Sequence, residues 1–481
     1  MKNILKYSWM LGLLMFSSCS NWLNVEPFDQ VSEEQQYGQA GGFYNQLNGI
    51  YKEMAGKELY GKELSWGFLD VLAQYYDMGN YSECDNYGYR NAAALDYENE
   101  RVKPFFDIFW EKGYNIIANC NNLIQNTVAA DSNLFPFREM ERRCIEGEAR
   151  ALRAMLHFDI LRMYAPAPNV DSTGKHIAYV EQFPTHIPLD IPTNQVLEKI
   201  QQDLIEAHRL TADYDTAYTG LFSDVKFRLE VTGNGSVHRF MDHRGYRLNH
   251  YAIKVLLARV ALYRGDKAAA LSWAKEAYRF FNWLRFNSEY DIKDYMNMKL
   301  YNDVMFALYN NNLASYEAEE NTGDSKMVAW DYGELFSSDA NRDYRRWQWE
   351  STDDGAVPMK YKERKETNKE AKVTNKLIPM IRISEIFYIM AECLYESDPA
   401  GAKVWLDYVR QSRGCRTASP DAMTQDEFNK LILKDFRREF YGEGQLFFFY
   451  KRLGLDAIGT SSTTVQYGTK YVFPKPESND I

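Results

Sequence analysis

The sequence predicts a mostly α-helical protein, a scaffold of helical hairpins interrupted by a large irregular, loop-rich region. Three observations predict it. Apolar residues recur at spacings of three and four over several long segments. In residues 250–280, Ala258, Gly265, Ala270 and Ala277 fall where two closely packed helices and their turn need small residues. No alternating strand pattern of comparable length occurs.

The elements follow in order. Residues 20–40 read as an extended lead-in. In "GFYNQLNGIYKE" (42–53), Phe43, Leu47, Ile50 and Tyr51 share one helix face. A helix over 105–126 lines up Phe106, Phe109, Trp110, Ile117, Cys120 and Ile124. "EGEARALRAMLHFDILRMYAPAP" (146–168) repeats apolar residues from Ala149 to Met163, and Pro166 and Pro168 stop it. Residues 194–210 form another amphipathic helix, and "VTGNGSV" marks a turn. Residues 250–280 match the tetratricopeptide hairpin, with Gly265-Asp266 as a left-handed turn. Residues 285–380 are the least regular. Their charged run "KYKERKETNKEAK" (360–372) reads as a solvated loop. Helices return at 381–396, 400–414 and 426–454, the last punctuated by Gly442 and Gly444.

The first residues address the chain. Lys2 and Lys6 precede an apolar run over 7–16. A spanning helix needs about 20 apolar residues, so residues 1–18 read as a signal peptide. "FSSC" resembles the lipobox of bacterial lipoproteins, which implies lipidation of Cys19 and a membrane anchor made of several acyl chains. Residues 19–481 then form one domain, with portions of about 19–250 and 251–481 intertwined. The remaining cysteines are Cys84, Cys120, Cys144, Cys393 and Cys415, an odd number without a CxxC. Cys120, Cys144 and Cys393 read as small buried residues.

Four stretches, "CSNWLNVEP", "EGEARALRAMLHFDILRMYAPAP", "IRISEIFYIMAECLYE" and "RREFYGEGQLFFFYKRLG", together resemble the SusD/RagB family of outer-membrane nutrient-binding lipoproteins. The resemblance runs from Cys19 to near the C-terminus. It implies a degenerate tetratricopeptide scaffold with an irregular ligand-binding face, no catalysis, and a SusC-like TonB-dependent transporter as partner. It also implies an outer-membrane location, facing the cell exterior. The implied ligand is a glycan or oligosaccharide, with a peptide as the alternative and a lipid-anchored hydrolase as the rival class. The family's last motif usually carries an Arg and an Asp where this chain has Leu446 and Phe449. Positions three apart share a helix face, so losing both charges avoids a lone buried ion. Apolar packing of both residues is expected. An acidic run after Cys19, which often accompanies surface export, is absent.

Composition and motifs narrow the chemistry. The net charge of −11, without a basic tract, disfavours nucleic acid. No GxSxG, HExxH or GxxxxGK[ST] occurs. His238, His243 and His250, five and seven apart, do not make a tight metal site. No cofactor is expected, and a calcium ion in a loop stays open, although Asp353-Asp354 lacks the EF-hand pattern. The carboxylate pairs Glu146/Glu148 and Glu385/Glu392 read as packing residues.

Tyrosine is abundant, at 35 residues. Its ring can cover the C–H face of a sugar while its hydroxyl bonds the rim. The first candidate site is the glycine-punctuated stretch 75–97, with Tyr75, Tyr76, Asp77, Tyr81, Asp85, Asn86, Tyr87 and Tyr89. The second surrounds Tyr309, Asn311 and Trp330, with Asn310, Asn312 and Tyr332 beside them.

Overall fold

A computed structural model of the chain describes residues 33–78, 88–185, 188–217, 224–229, 239–281, 285–320, 327–329, 332–337, 342–352, 355–365, 369–458 and 464–477. Residues 1–18, read from sequence as a signal peptide, and Cys19 lie outside them, as do Cys84, His238 and Asp353-Asp354. Of the stretch 20–40 read as an extended lead-in, the described part holds a short helix at Glu33–Tyr37. Helix α1 (Ala40–Met54) buries Phe43, Leu47, Ile50 and Tyr51, the face that the spacing predicts. Helix α2 (Lys103–Ala129) begins with a proline in its first turn, where a missing N–H costs nothing.

Helix α3 (Arg138–Tyr164) starts eight residues before the stretch read from sequence. It packs on α2 and on α4 (Thr193–Ala217), so it is buried almost all round. Its polar residues must therefore find partners inside the protein. Arg153 forks onto Asp203 of α4, with an Nη2–Oδ1 distance of 2.6 Å. Helix α5 (His250–Arg264) and helix α6 (Lys267–Phe281) form the predicted hairpin. Gly265 closes α5 at φ +87°, a left-handed conformation that glycine adopts without a Cβ penalty. Ala258, Ala270 and Ala277 are buried between the helices. Helix α7 (Ser384–Leu394) packs on α6 and on α8 (Pro399–Ser412) and so extends the stack.

The long C-terminal helix read from sequence is two helices, α9 (Gln425–Phe440) and α10 (Leu446–Leu453). The break falls at Gly442 and Gly444. At Gly444, φ is +64° and a Cβ would lie 2.1 Å from the Leu64 carbonyl oxygen, so any side chain would clash with backbone. Leu446 is fully buried and Phe449 nearly so. Phe449 stacks on Phe436 at 4.5 Å, so both positions take the expected apolar packing.

One antiparallel pair sits in the core, β1 (Val304–Tyr309) beside β2 (Leu377–Arg382). Every residue of the pair is buried except Tyr309, where β1 leaves the core. Around this pair lies a buried ionic network. Arg382 bonds Glu439 of α9 (Nη1–Oε1 2.6 Å) and Glu443 (Nε–Oε1 2.8 Å). Arg413 bonds the same Glu439 oxygen at 2.6 Å and also Asp303. Arg345 joins Glu439 (3.2 Å), Asp343 (2.7 Å) and Asp435 (2.9 Å). Lys360 reaches Glu443 at 2.5 Å and is buried. This corrects the reading of 360–372 as wholly solvated: Lys360 and Tyr361 belong to the core, and the exposed part begins at Lys362.

Cys120, Cys144, Cys393 and Cys415 are buried free thiols. Among the described residues no helix is long and apolar enough to cross a membrane.

Candidate functional site

A cleft of about 1240 Å³ opens where the end of α1, the loop 240–247 and the exit of β1 meet. Its position follows from buried contacts behind it. Arg244 is buried and pairs with Glu148 of α3 and with Asp215 of α4 (Nε–Oδ1 2.7 Å). That clamp fixes the loop. Asn249 caps α5 by accepting from the Tyr251 and Ala252 N–H groups, and its Nδ2 donates to the Met305 carbonyl of β1 at 2.8 Å. The loop and the strand are thus tied edge to edge.

The tie places Tyr246 against Tyr309, edge to face, with ring centroids 5.6 Å apart. Tyr309 is 47% exposed and donates its hydroxyl to Asn311 Oδ1 at 3.0 Å. Asn310 does different work. Its Nδ2 donates to the Ala55 carbonyl at 2.6 Å and its Oδ1 accepts from the Asn312 N–H at 2.7 Å, which shapes the turn. Asn311 is exposed on that turn. On the opposite wall, the Arg247 guanidinium lies over the rings of Tyr51 (5.1 Å) and Phe240 (4.6 Å). Its Nη2 donates to Asn48 Oδ1 at 2.7 Å, and Phe240 stacks on Tyr44 at 3.8 Å. His243 also lines the cleft. Burial lowers its pKa, Asp242 opposes this and Arg247 assists, so the ring is neutral at pH 7.

A second, smaller concavity of about 330 Å³ carries Tyr332, Trp347 and Trp349. The ionic network positions it, because Asp343 and Arg345 immediately precede its residues in the chain. The Arg346 guanidinium covers Trp347 at 4.5 Å. Beside it the two candidate stretches of the sequence meet. The Asp77 N–H donates to the Val328 carbonyl at 2.7 Å, and Ala329 bridges to Ala356 of the strand hairpin that holds Trp349.

The structure sorts the sequence candidates. Tyr75, Tyr76 and Tyr89 are buried, a correction to their assignment as ligand contacts. Their hydroxyls are spent inside: Tyr75 on the Arg437 carbonyl (3.0 Å), Tyr76 on the Trp66 carbonyl (3.0 Å), Tyr89 on Glu63 Oε2 (2.7 Å). Gly88 precedes a short helix, Tyr89–Ala93, where the glycines had suggested a loop, and the described rings of the stretch pack inward against the body of the protein. Asp77 is half-buried. Tyr309 and Asn311 line the cleft. Tyr81, Asp85, Asn86, Tyr87 and Trp330 lie outside the described residues. Sequence reasoning missed Tyr246 and Arg247. The signal available was Asn249, an N-cap type directly before a helical run, which leaves the residues just ahead of it in a loop. His250 stacks on His208 at 4.0 Å. Among the described residues no cluster of three His, Cys, Asp or Glu side chains could hold a metal ion.

Comparison with known proteins bears on this geometry. The profile of the SusD family matches residues 237–477, which include Tyr246 and Tyr309. No curated protein matches the chain in sequence. Among solved structures, a SusD-like carbohydrate-binding protein from Bacteroides vulgatus is similar in fold, with a TM-score of 0.69 at 17% identity over 92% of this chain and 96% of that one. A SusD superfamily protein from Bacteroides thetaiotaomicron gives 0.67 at 20% identity, covering 90% and 94%. A laminarin-binding SusD-like protein gives 0.60 at 16% identity, covering 86% and 92%. At these identities the likeness is one of fold.

Proposed function

Because this chain belongs to the SusD family, we propose that it captures an extracellular glycan in the Tyr246–Tyr309 cleft and makes or breaks no bond. The observation that carries this reading is the cleft itself: about 1240 Å³, walled by tyrosine rings and asparagine side chains. Pockets for single small ligands run to roughly 300–1,000 Å³, so this one has room for several sugar rings. Tyr309 offers its exposed ring to the C–H face of one sugar, and Asn311 and the tyrosine hydroxyls bond the hydroxyl rim. Binding of this kind is shallow and summed over many contacts. The aromatic shelf at Tyr332 and Trp347 supplies a second contact surface for a long chain.

Membership of the family supports a location at the outer membrane. Cys19 would carry the lipid anchor, and a SusC-like TonB-dependent transporter would receive the glycan. No membrane-spanning helix is required for that arrangement.

The test is a panel of polysaccharides in affinity gels, with product analysis after prolonged incubation. Retardation by at least one polysaccharide with no shortened products is the expected outcome. Turnover at protein-to-substrate ratios far below one would contradict a binding role, and binding of peptides alone would contradict a glycan as the ligand.

A further inference from the structure

A niche of about 60 Å³ opens where α3, α5, α7 and α10 converge. It shares no lining residue with the Tyr246–Tyr309 cleft. One water needs about 10–15 Å³ of such space, so the niche has room for a group of several heavy atoms. Its walls are apolar, with Phe158, Leu262, Ile389 and Phe449 among them.

The polar groups of the niche pair off one by one. Glu385 accepts from Arg259 through both oxygens, at 2.6 Å from Nε and 2.7 Å from Nη2. Glu392 accepts from Arg452 in the same forked way. Arg162 gives Nη2 to Asp159 and Nη1 to Gln445 Oε1 at 3.1 Å. The Gln445 Nε2 donates to the Glu443 carbonyl at 3.1 Å. Each arginine therefore has its own carboxylate, and the niche holds no surplus charge.

Two donors are left over. Tyr263 and Arg162 are both buried. Among the described residues nothing accepts from the Tyr263 hydroxyl or from the Arg162 Nε–H, and no buried acceptor of the niche is left over to match them. Both donors are held in place. The Arg162 guanidinium lies over the rings of Phe158 (4.5 Å) and Phe448 (3.9 Å). The Tyr263 ring meets Phe158 edge to face at 5.3 Å. Burial raises the Tyr263 pKa more than Arg162 and Arg452 lower it, so the hydroxyl keeps its proton at pH 7.

Buried donors without partners are costly, so two in one niche call for a ligand. They need an oxygen with two lone pairs. A carboxylate would bring a charge that no unpaired cation balances. A water would bring two hydrogens of its own, whereas the buried acceptors here are already engaged. A carbonyl oxygen on a small apolar body meets both conditions.

We propose that this niche is a second binding site, which takes a small neutral carbonyl group such as an acetamide. Its oxygen accepts from Tyr263 and Arg162, and its carbon body rests on Leu262 and Ile389. The proposal does not depend on the glycan reading of the Tyr246–Tyr309 cleft.

The experiment titrates the folded protein, methyl-labelled at Ile and Leu, with N-methylacetamide and follows it by methyl NMR. Saturable shifts are expected at the Ile389 and Leu262 methyls. Tyr263→Phe should weaken binding about threefold to tenfold, the loss of one neutral hydrogen bond. Its melting temperature should hold or rise, because the deleted hydroxyl has no partner in the protein. N-acetylglucosamine carries the same carbonyl on a sugar. Shifts with both probes support the site as one for a sugar-borne acetamido group, and shifts with N-methylacetamide alone support it as one for a free small amide. No saturable shift with either probe overturns the proposal. Unchanged affinity in Tyr263→Phe also overturns it, and so does tighter binding of acetate than of N-methylacetamide. Absence of binding together with a lowered melting temperature in Tyr263→Phe overturns it in favour of ordered water alone.

Discussion

Glu439→Ala should cost about 3–5 kcal/mol of folding stability, the usual cost of stranding buried charges. Glu439 is wholly buried and accepts from three arginines, Arg345, Arg382 and Arg413. Truncating it leaves those guanidinium groups with less compensating charge inside the protein. The same network joins β1, β2, the end of α8, α9 and the turn after it, so no neighbouring element can relax alone. Urea melts should show the loss. A pH series should show its origin. Burial raises the Glu439 pKa, but Arg413, Arg382 and Arg345 outweigh it and hold the carboxyl well below the usual carboxylate range. A carboxylate depressed on folding contributes stability above its unfolded pKa of about 4.3. That contribution is lost as pH falls through the folded value. The stability gap between wild type and Glu439→Gln should therefore be full at neutral pH and narrow progressively below about pH 4. A gap that does not depend on pH would mean that shape, not charge, sets the role of this residue.

Tyr309→Ala should weaken glycan binding about tenfold or more, since stacking and aromatic burial contribute about 1–3 kcal/mol each. Tyr309 is half exposed and meets Tyr246 edge to face. Its removal should leave the melting temperature nearly unchanged. Tyr76→Ala is the informative contrast. Tyr76 is buried and its hydroxyl bonds the Trp66 carbonyl, so truncation should lower the melting temperature clearly. Calorimetric melting of both variants, beside affinity gels, separates the two roles. If Tyr309→Ala melted as early as Tyr76→Ala, the ring would be a packing residue and the cleft wall would need reassignment.

These contrasts show what the sequence carried and what it did not. The α5–α6 hairpin was legible because small residues at Ala258, Gly265, Ala270 and Ala277 have one economical explanation, close helix contact around a left-handed turn. The apolar swap at Leu446 and Phe449 was legible because two charges vanished together from one helix face. The β1–β2 pair was not, because "VMFALY" and "LIPMIR" are short apolar runs buried on both faces. Such runs have no alternation to read. Lys360 was hidden within a charged run because its partner, Glu443, lies 83 residues away. The burial of Tyr75 and Tyr76 depends likewise on which element covers them. Periodicity reports a face, and it does not report what packs on that face. The cleft was half legible: Tyr309 and Asn311 stood out by composition, whereas Tyr246 and Arg247 reach it only through the Arg244 clamp.

On the proposed reading, sugar rings occupy the cleft between Tyr246 and Tyr309. A crystal structure of the protein with an oligosaccharide that retards it in gels tests this most directly. The expected result is a pyranose ring stacked on Tyr309, with Asn311 or a neighbouring polar group bonding its hydroxyls. Sugar density bound elsewhere on the protein, with the Tyr309 cleft empty, would contradict it.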